Sequence, residues 1–514
     1  MQFNSLYFVI FFLPLTLAGY YGLAGRGHRA TADWWVILAS FLFYGATNLW
    51  YPLMLGILLV MNWGLACQIE RAEKNAGRGT EQGIGESTEK STGSGTEQGI
   101  GAGFWTVLGI VLNTAFLGIF KYTNFFLENL NVLLQQDWPA VNLILPLGIS
   151  FIIFSQISFL ADVRRGTVPM TGESGVTFRE YVLFSVFFPK LTQGPISTMR
   201  EFLPELRKKE RHRFSSKGMV VGIQMFTCGL FKKVILADSL GSMVTQYYTQ
   251  FTYRSNIDSL LVMLAYTFQI YLDFSGYSDM AIGISEMLGI HLQPNFDSPY
   301  KAASVTDFWR RWHMSLTSFL REYIYFPLGG SKRGAIRTYL NIMIVYLISG
   351  LWHGANWTFI LWGFFHGATQ IIERLLGKAY RKVWLPVRWC ITFGIVNILW
   401  MLFRSSSAAE FQRFWWHLWV DKSWYYSQDL ASCLHISGVR TALSVLRLPA
   451  SDQMVGAVST AIFLGGCLGL CLLAPNNQKR SYKITRKSLI VTAAMLFWCM
   501  LSMSGMSTFI YNDF

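Results

Sequence analysis

Long apolar runs recur along the whole chain, at residues 6–23, 52–66, 104–120, 218–237, 387–403, 457–473 and 488–503, and short polar stretches rich in Arg and Lys separate them. A straight transmembrane helix needs about 20 mostly apolar residues, and these runs come close to that length. Others, at 34–43 and 182–188, are too short to cross and predict re-entrant or buried helices. The pattern therefore predicts an all-α, polytopic integral membrane protein with roughly 10–12 membrane segments, not all of them spanning. The run at 141–160 reads as one further segment, and the run at 339–365 as another.

That last run carries polar residues where lipid would penalise them. Within Ser349-Gly-Leu-Trp-His-Gly-Ala-Asn-Trp357 stand His353 and Asn356. An imidazole at membrane depth is costly unless it faces protein or a water-filled cavity, so it marks a functional candidate; a polar strut between helices is the plainer alternative. Gly350 and Gly354 have the small-xxx-small spacing that lets helix backbones approach, which predicts that His353 lies on a packed face. His366 lies thirteen residues further on. On one continuous helix that is about 220° away, so the two histidines should not share a site unless the helix breaks.

Composition agrees with the pattern. Hydrophobic residues make up 52% of the 514 and charged residues 14%, and the mean hydropathy is +0.33, which excludes an ordinary soluble domain. The formal net charge of +14 could suggest nucleic acid as a partner. The basic residues instead fall in clusters beside apolar runs, at 26–29, 164–165, 207–213, 332–333 and 479–480. That is the positive-inside pattern, so the partner is membrane lipid, no nucleic acid is expected, and the first helix is retained and runs inward. The seven cysteines are scattered through apolar runs and predict neither a disulfide framework nor a metal site.

Residues 72–103 differ in kind. They are rich in Gly, Ser, Thr, Glu and Gln, and Thr80-Glu-Gln-Gly-Ile-Gly85 recurs as Thr96-Glu-Gln-Gly-Ile-Gly101. Such a stretch cannot bury enough apolar area to offset its ordering entropy, so a flexible, expandable loop is predicted. The chain then divides into N-terminal membrane helices (1–71), this loop (72–103), a catalytic core (104–410) and a C-terminal region with the final helices (411–514).

A second polar constellation occupies 304–333. Ser304 with Asp307 predicts a capping box and a helix start. On that helix Trp309 and His313 would share a face, with Arg310 beside them. An interfacial amphipathic helix, its arginines at headgroups, is the bland alternative. A further apolar run begins at 259–272, and Asp273 and Asp279 lie in its continuation. At about 2.5 to 3.5 kcal/mol each on insertion scales they need partners, for which Arg310, Arg311 and Arg321 are the nearest candidates. Gly329-Gly-Ser-Lys-Arg-Gly334 offers backbone N–H groups and the cations Lys332 and Arg333, suited either to donor phosphates or to lipid headgroups.

Taken together, these blocks resemble the membrane-bound O-acyltransferase family, in its alginate O-acetyltransferase branch. The resemblance rests on Leu272-Asp-Phe-Ser-Gly-Tyr-Ser-Asp-Met-Ala-Ile-Gly283, Phe308-Trp-Arg-Arg-Trp-His-Met-Ser-Leu316, Leu328-Gly-Gly330, Gly350-Leu-Trp-His-Gly-Ala-Asn356 and Trp362-Gly-Phe-Phe-His-Gly367. Leu145-Pro-Leu-Gly-Ile-Ser-Phe151 and Phe188-Pro-Lys-Leu-Thr-Gln-Gly-Pro195 are similar to the same branch. The likeness runs from residue 1 to about 404; 72–103 is longer than the branch implies, and 411–447 carries no matching block.

The resemblance implies a central tunnel in which two intramembrane polar residues meet, here His353 and His313, with Trp309, Arg310, Trp352, Asn356, Asp273 and Asp279 lining it. His353 is the expected general base; His313, the Asn356 amide or the Trp352 indole would orient the donor or stabilise the oxyanion. His366 is expected to be structural. The implied reaction moves acetyl groups from cytoplasmic acetyl-CoA, with no tightly bound cofactor, across a bacterial inner membrane to an exported or cell-surface polysaccharide. The implied partner is an extracytoplasmic acetyltransferase or acceptor protein. The alternatives are D-alanyl transfer to a cell-wall polymer and a proton-coupled transporter built on His353, Asp273 and Asp279.

Overall fold

A computed structural model describes residues 1–82, 101–479, 482–503 and 509–510. Among them the regular elements are helices and no strand occurs. Among the described residues, eight helices are long and apolar enough to cross a membrane. Helices at Arg29–Gly45, Ile149–Arg164, Trp357–Lys382 and Arg486–Ser502 accompany them, so the expected mixture of spanning and shorter segments is present.

The chain forms two compact units. The first holds residue 1, residues 10–216 and residues 285–292. Its helices are α1 (Leu13–Gly25), α2 (Arg29–Gly45), α3 (Trp50–Gln82), α4 (Ala102–Leu134), α5 (Ile149–Arg164), α6 (Phe178–Val186) and α7 (Met199–Arg207). Asn62 and Asn113 satisfy one another where α3 meets α4, with both side chains fully buried. The expected segment at 141–160 is helical only from Ile149. Gly148 turns the chain at φ +71°, where a Cβ would collide with the Thr192 backbone, and the residues before it are irregular. Tyr44 and Tyr51 donate to the Leu147 and Leu145 carbonyls, which have no helical partner there. Of the loop expected at 72–103, residues up to Gln82 continue α3 and Ala102 opens α4; residues 83–100 lie outside the described residues.

The second unit holds residues 2–9, 217–284 and 293–514, so the C-terminal region shares a unit with much of the expected core. After α8 (Ser216–Thr249), interrupted by a π-turn at Lys232–Ala237, come α9 (Asn256–Met287), α10 (Val305–Arg311), α11 (Met314–Leu320), α12 (Ala335–His353), α13 (Trp357–Lys382) and α14 (Leu385–Arg404). Later come α15 (Asp452–Leu473) and α16 (Arg486–Ser502).

Two glycine crossings bring helices together. A Cβ on Gly276 of α9 would sit 2.7 Å from the Gly229 carbonyl of α8, and a Cβ on Gly350 of α12 or on Gly363 of α13 would collide with the Phe359 or the Tyr346 carbonyl of the facing helix. No bulkier residue permits that approach. The core of this unit holds fully buried aromatics, with the Trp312 and Trp400 rings 4.8 Å apart and Trp362 stacked on Trp400 at 5.9 Å.

Candidate active site

The apolar run at 339–365 is two helices, not one. α12 ends at His353, Gly354 and Asn356 are extended at φ −164° and −150°, and the Asn356 side chain accepts from Thr358 N–H to cap α13. An Asx side chain at this position satisfies an orphan donor of the new helix, which is why the break falls here. The Asn356 amide N–H donates to the Ser406 carbonyl at 2.6 Å. Both ends of this side chain therefore serve the backbone.

The break reverses the geometry expected of a continuous helix. Trp362 now stands between two histidines, its ring 5.1 Å from that of His353 and 4.8 Å from that of His366. His366 accepts a 3.2 Å bond from the Trp309 indole N–H at Nδ1 and is fully buried. It shares an aromatic cluster with His353 without direct contact.

His313 is not on the same helix face as Trp309, contrary to the sequence expectation. α10 stops at Arg311, and His313 occupies the left-handed region at φ 44°, ψ 55° before α11 starts. Ser304 caps α10 by accepting from Asp307 N–H, but the return bond of a capping box is absent among the described contacts, since the Asp307 carboxylate pairs with Arg311 at 2.9 Å. The reversal points His313 into the core. Its ring lies 4.7 Å from Phe274 and 5.9 Å from Trp352, and Trp352 is 4.9 Å from His353. One indole thus touches both imidazoles. His313 and His353 are 0% and 3% exposed. In its turn between two seven-residue helices, burial lowers the His313 pKa, which keeps the ring neutral.

The Nδ1 of His313 lies 3.1 Å from Asn295 Oδ1. Asn295, fully buried, was not among the candidates read from the sequence. Nothing local marks it: it is one of several polar residues in the irregular stretch after α9.

The acids have partners other than those expected. Asp273 pairs with Lys233 at 2.6 Å, and Asp279 with Lys232 at 2.7 Å and with Asn477 and Gln478 at 2.8 and 3.1 Å. The lysines lie on α8, brought near by the Gly229–Gly276 crossing, whereas Arg310 is exposed and Arg311 is engaged by Asp307. The acids are thus held in ion pairs to α8. Lys332 and Arg333 lie in the exposed turn before α12.

Beside His353, a cavity of about 480 Å3 is lined by Gly354, Asn356, Phe403, Arg404, Ser405 and Gln269, among others. Phe403, whose ring lies 5.2 Å from that of His353, lines the cavity as well. A cavity with polar walls beside the His353 imidazole suits proton transfer to or from a substrate held there.

The model of MBOAT, the membrane-bound O-acyltransferase family, matches residues 110–408. The chain is 36% identical over 436 residues to the peptidoglycan O-acetyltransferase of Helicobacter pylori, covering 80% of this chain and 78% of that protein. It is 34% identical over 433 residues to the probable alginate O-acetylase AlgI of Pseudomonas aeruginosa, covering 83% and 76%. The teichoic acid D-alanyltransferase of Bacillus subtilis is similar at 27% over 271 residues, covering 51% and 68%.

Proposed function

This chain belongs to the membrane-bound O-acyltransferase family, and from that membership we propose that it passes acetyl groups from a cytoplasmic thioester, acetyl-CoA or its like, outward for O-acetylation of an exported or cell-surface polysaccharide. It is an acyltransferase and a multi-pass protein of the bacterial inner membrane, which leaves the transporter alternative without support. The observation that carries the reading is the placement of His313 and His353 around Trp352.

In the proposed step the acceptor hydroxyl oxygen attacks the thioester carbonyl carbon while His353 takes its proton. The C–S bond then breaks, and the imidazolium returns the proton to the departing thiolate. The Trp352 indole, whose ring lies 4.9 Å from that of His353, offers a neutral N–H donor for the developing oxyanion. His313 holds the donor from the other side of the indole.

Orientation follows from charge. Lys332 and Arg333 precede α12, Arg381 and Lys382 close α13, and Arg388 opens α14, so the positive-inside rule puts these ends in the cytoplasm. Nineteen residues of α12 rise about 27 Å, enough to bring His353 toward the outer face. The cavity at Asn356, Arg404 and Ser405 would then receive the acceptor, a partner protein or the polymer itself.

Acetyl rather than D-alanyl transfer is supported by the longer and closer likeness to O-acetyltransferases. Membranes from cells carrying the chain, given acetyl-labelled acetyl-CoA, should build base-labile label into macromolecular material. Label arriving only from D-alanine would overturn the choice of acyl group.

A further inference from the structure

Beyond the residues matched by the family model, after α15, the segment Asn476-Asn-Gln-Lys479 lies along the loop at 295–297. Asn476 Nδ2 donates to the Phe296 carbonyl at 2.8 Å and to Asp297 Oδ1 at 3.3 Å. Gln478 Oε1 accepts the Asn295 backbone N–H at 3.0 Å while its amide donates to Asp279. Lys479 pairs with Asp297 at 2.6 Å. Asn477, bound to Asp279, ties the same strap to the Lys232 pair.

What the strap holds in place is Asn295. Its Oδ1 accepts from Ser315 N–H at 3.2 Å and from the Ser315 hydroxyl at 2.8 Å, and its carbonyl accepts from Met314 N–H at 2.9 Å. Its Nδ2 donates to Ser278 at 3.4 Å. A backbone N–H can only donate, so the atom that Ser315 N–H meets is the amide oxygen. An amide oxygen only accepts, so the His313 Nδ1 facing it must carry the proton, and Nε2 is the acceptor. The same contacts hold His313 in its left-handed conformation, which costs a residue with a Cβ about 1 kcal/mol or more.

We propose that Asn295 is a positioning residue that sets the tautomer and placement of His313, and that the strap at 476–479, in the C-terminal part of the chain, holds Asn295 in register. The inference rests on the part given to His313 in acyl transfer. It assigns His313 an acceptor nitrogen on the donor side, suited to a substrate N–H or to a proton, and leaves oxyanion stabilisation to Trp352.

The test uses the full chain, purified in detergent, with kcat and KM for acetyl-CoA and the thermal midpoint measured for Asn295→Ala, Asn295→Asp, Gln478→Ala and His313→Ala. Asn295→Ala should lower kcat about 10- to 100-fold with KM changed less than about threefold, the usual size of a lost supporting hydrogen bond to a working histidine. Asn295→Asp, which keeps an oxygen for Nδ1–H and Ser315, should recover most of that loss. Gln478→Ala should lower kcat by about three- to tenfold, and it reads the same quantity from a half-buried position if Asn295→Ala fails to accumulate. A dead His313→Ala beside Asn295→Ala and Gln478→Ala that keep kcat within twofold overturns the positioning role alone, and so does a fall in thermal midpoint with kcat per folded molecule unchanged. An active His313→Ala overturns the acyl-transfer role of His313 and this inference with it.

Discussion

Trp352 touches both imidazoles, and this makes His313 and His353 one site although forty residues separate them in sequence. His366 is near but differently placed, since its Nδ1 is taken by Trp309 and Trp362 lies between it and His353. The three histidines should therefore respond differently to alanine. His313→Ala should lower turnover by about 100-fold or more, as loss of a group that holds the reacting donor in place does. His366→Ala should keep turnover within about tenfold but leave the Trp309 N–H buried without its acceptor, a loss of about 1–3 kcal/mol seen as a lower thermal midpoint. Equal losses of turnover with no change in midpoint would put His366 in the chemistry.

Elements were legible in the sequence where their signal is local. Apolar length marked the spans, and Ser304 marked the start of α10. The break at Gly354–Asn356 was legible only as a condition, because one apolar run fits a single helix as well as a hairpin; the Asn356 cap decided it. The partners of Asp273 and Asp279 were not legible. Arg310 and Arg311 are nearer in sequence, but the Gly229–Gly276 approach brings Lys232 and Lys233 instead, and long-range pairing leaves no mark on either segment. Asn295 escaped for the same reason. The Lys233–Asp273 pair, 2% exposed on both sides, gives a prediction at this scale. Lys233→Met alone should cost about 3–5 kcal/mol by leaving the buried Asp273 carboxylate without its cation, whereas Lys233→Met with Asp273→Leu should recover most of it, the other partner of Lys233, Asp238, being partly exposed. Thermal unfolding of the detergent-solubilised protein measures both, and a double variant no better than the single one would show that the pair is not scaffold.

At the scale of the whole molecule, the +14 charge is distributed by topology. Lys332 and Arg333, exposed before α12, would face the cytoplasm, where a phosphate-rich thioester arrives. Neutralising both should raise KM for acetyl-CoA and weaken its dependence on ionic strength, with capture of the exported partner intact. Loss of partner capture with KM unchanged would invert the orientation.

The central claim is that His353 takes the acceptor proton, and one measurement addresses it most directly. Labelled acetyl-CoA is supplied to the cytoplasmic face of membrane vesicles carrying equal folded amounts of the wild-type chain or of His353→Ala, and acetyl transferred to acceptor is counted. Transfer should fall by about 100-fold or more with His353→Ala, as removal of a general base requires. Retention of more than about a tenth of wild-type transfer would contradict the account, because the acceptor proton would then leave without His353.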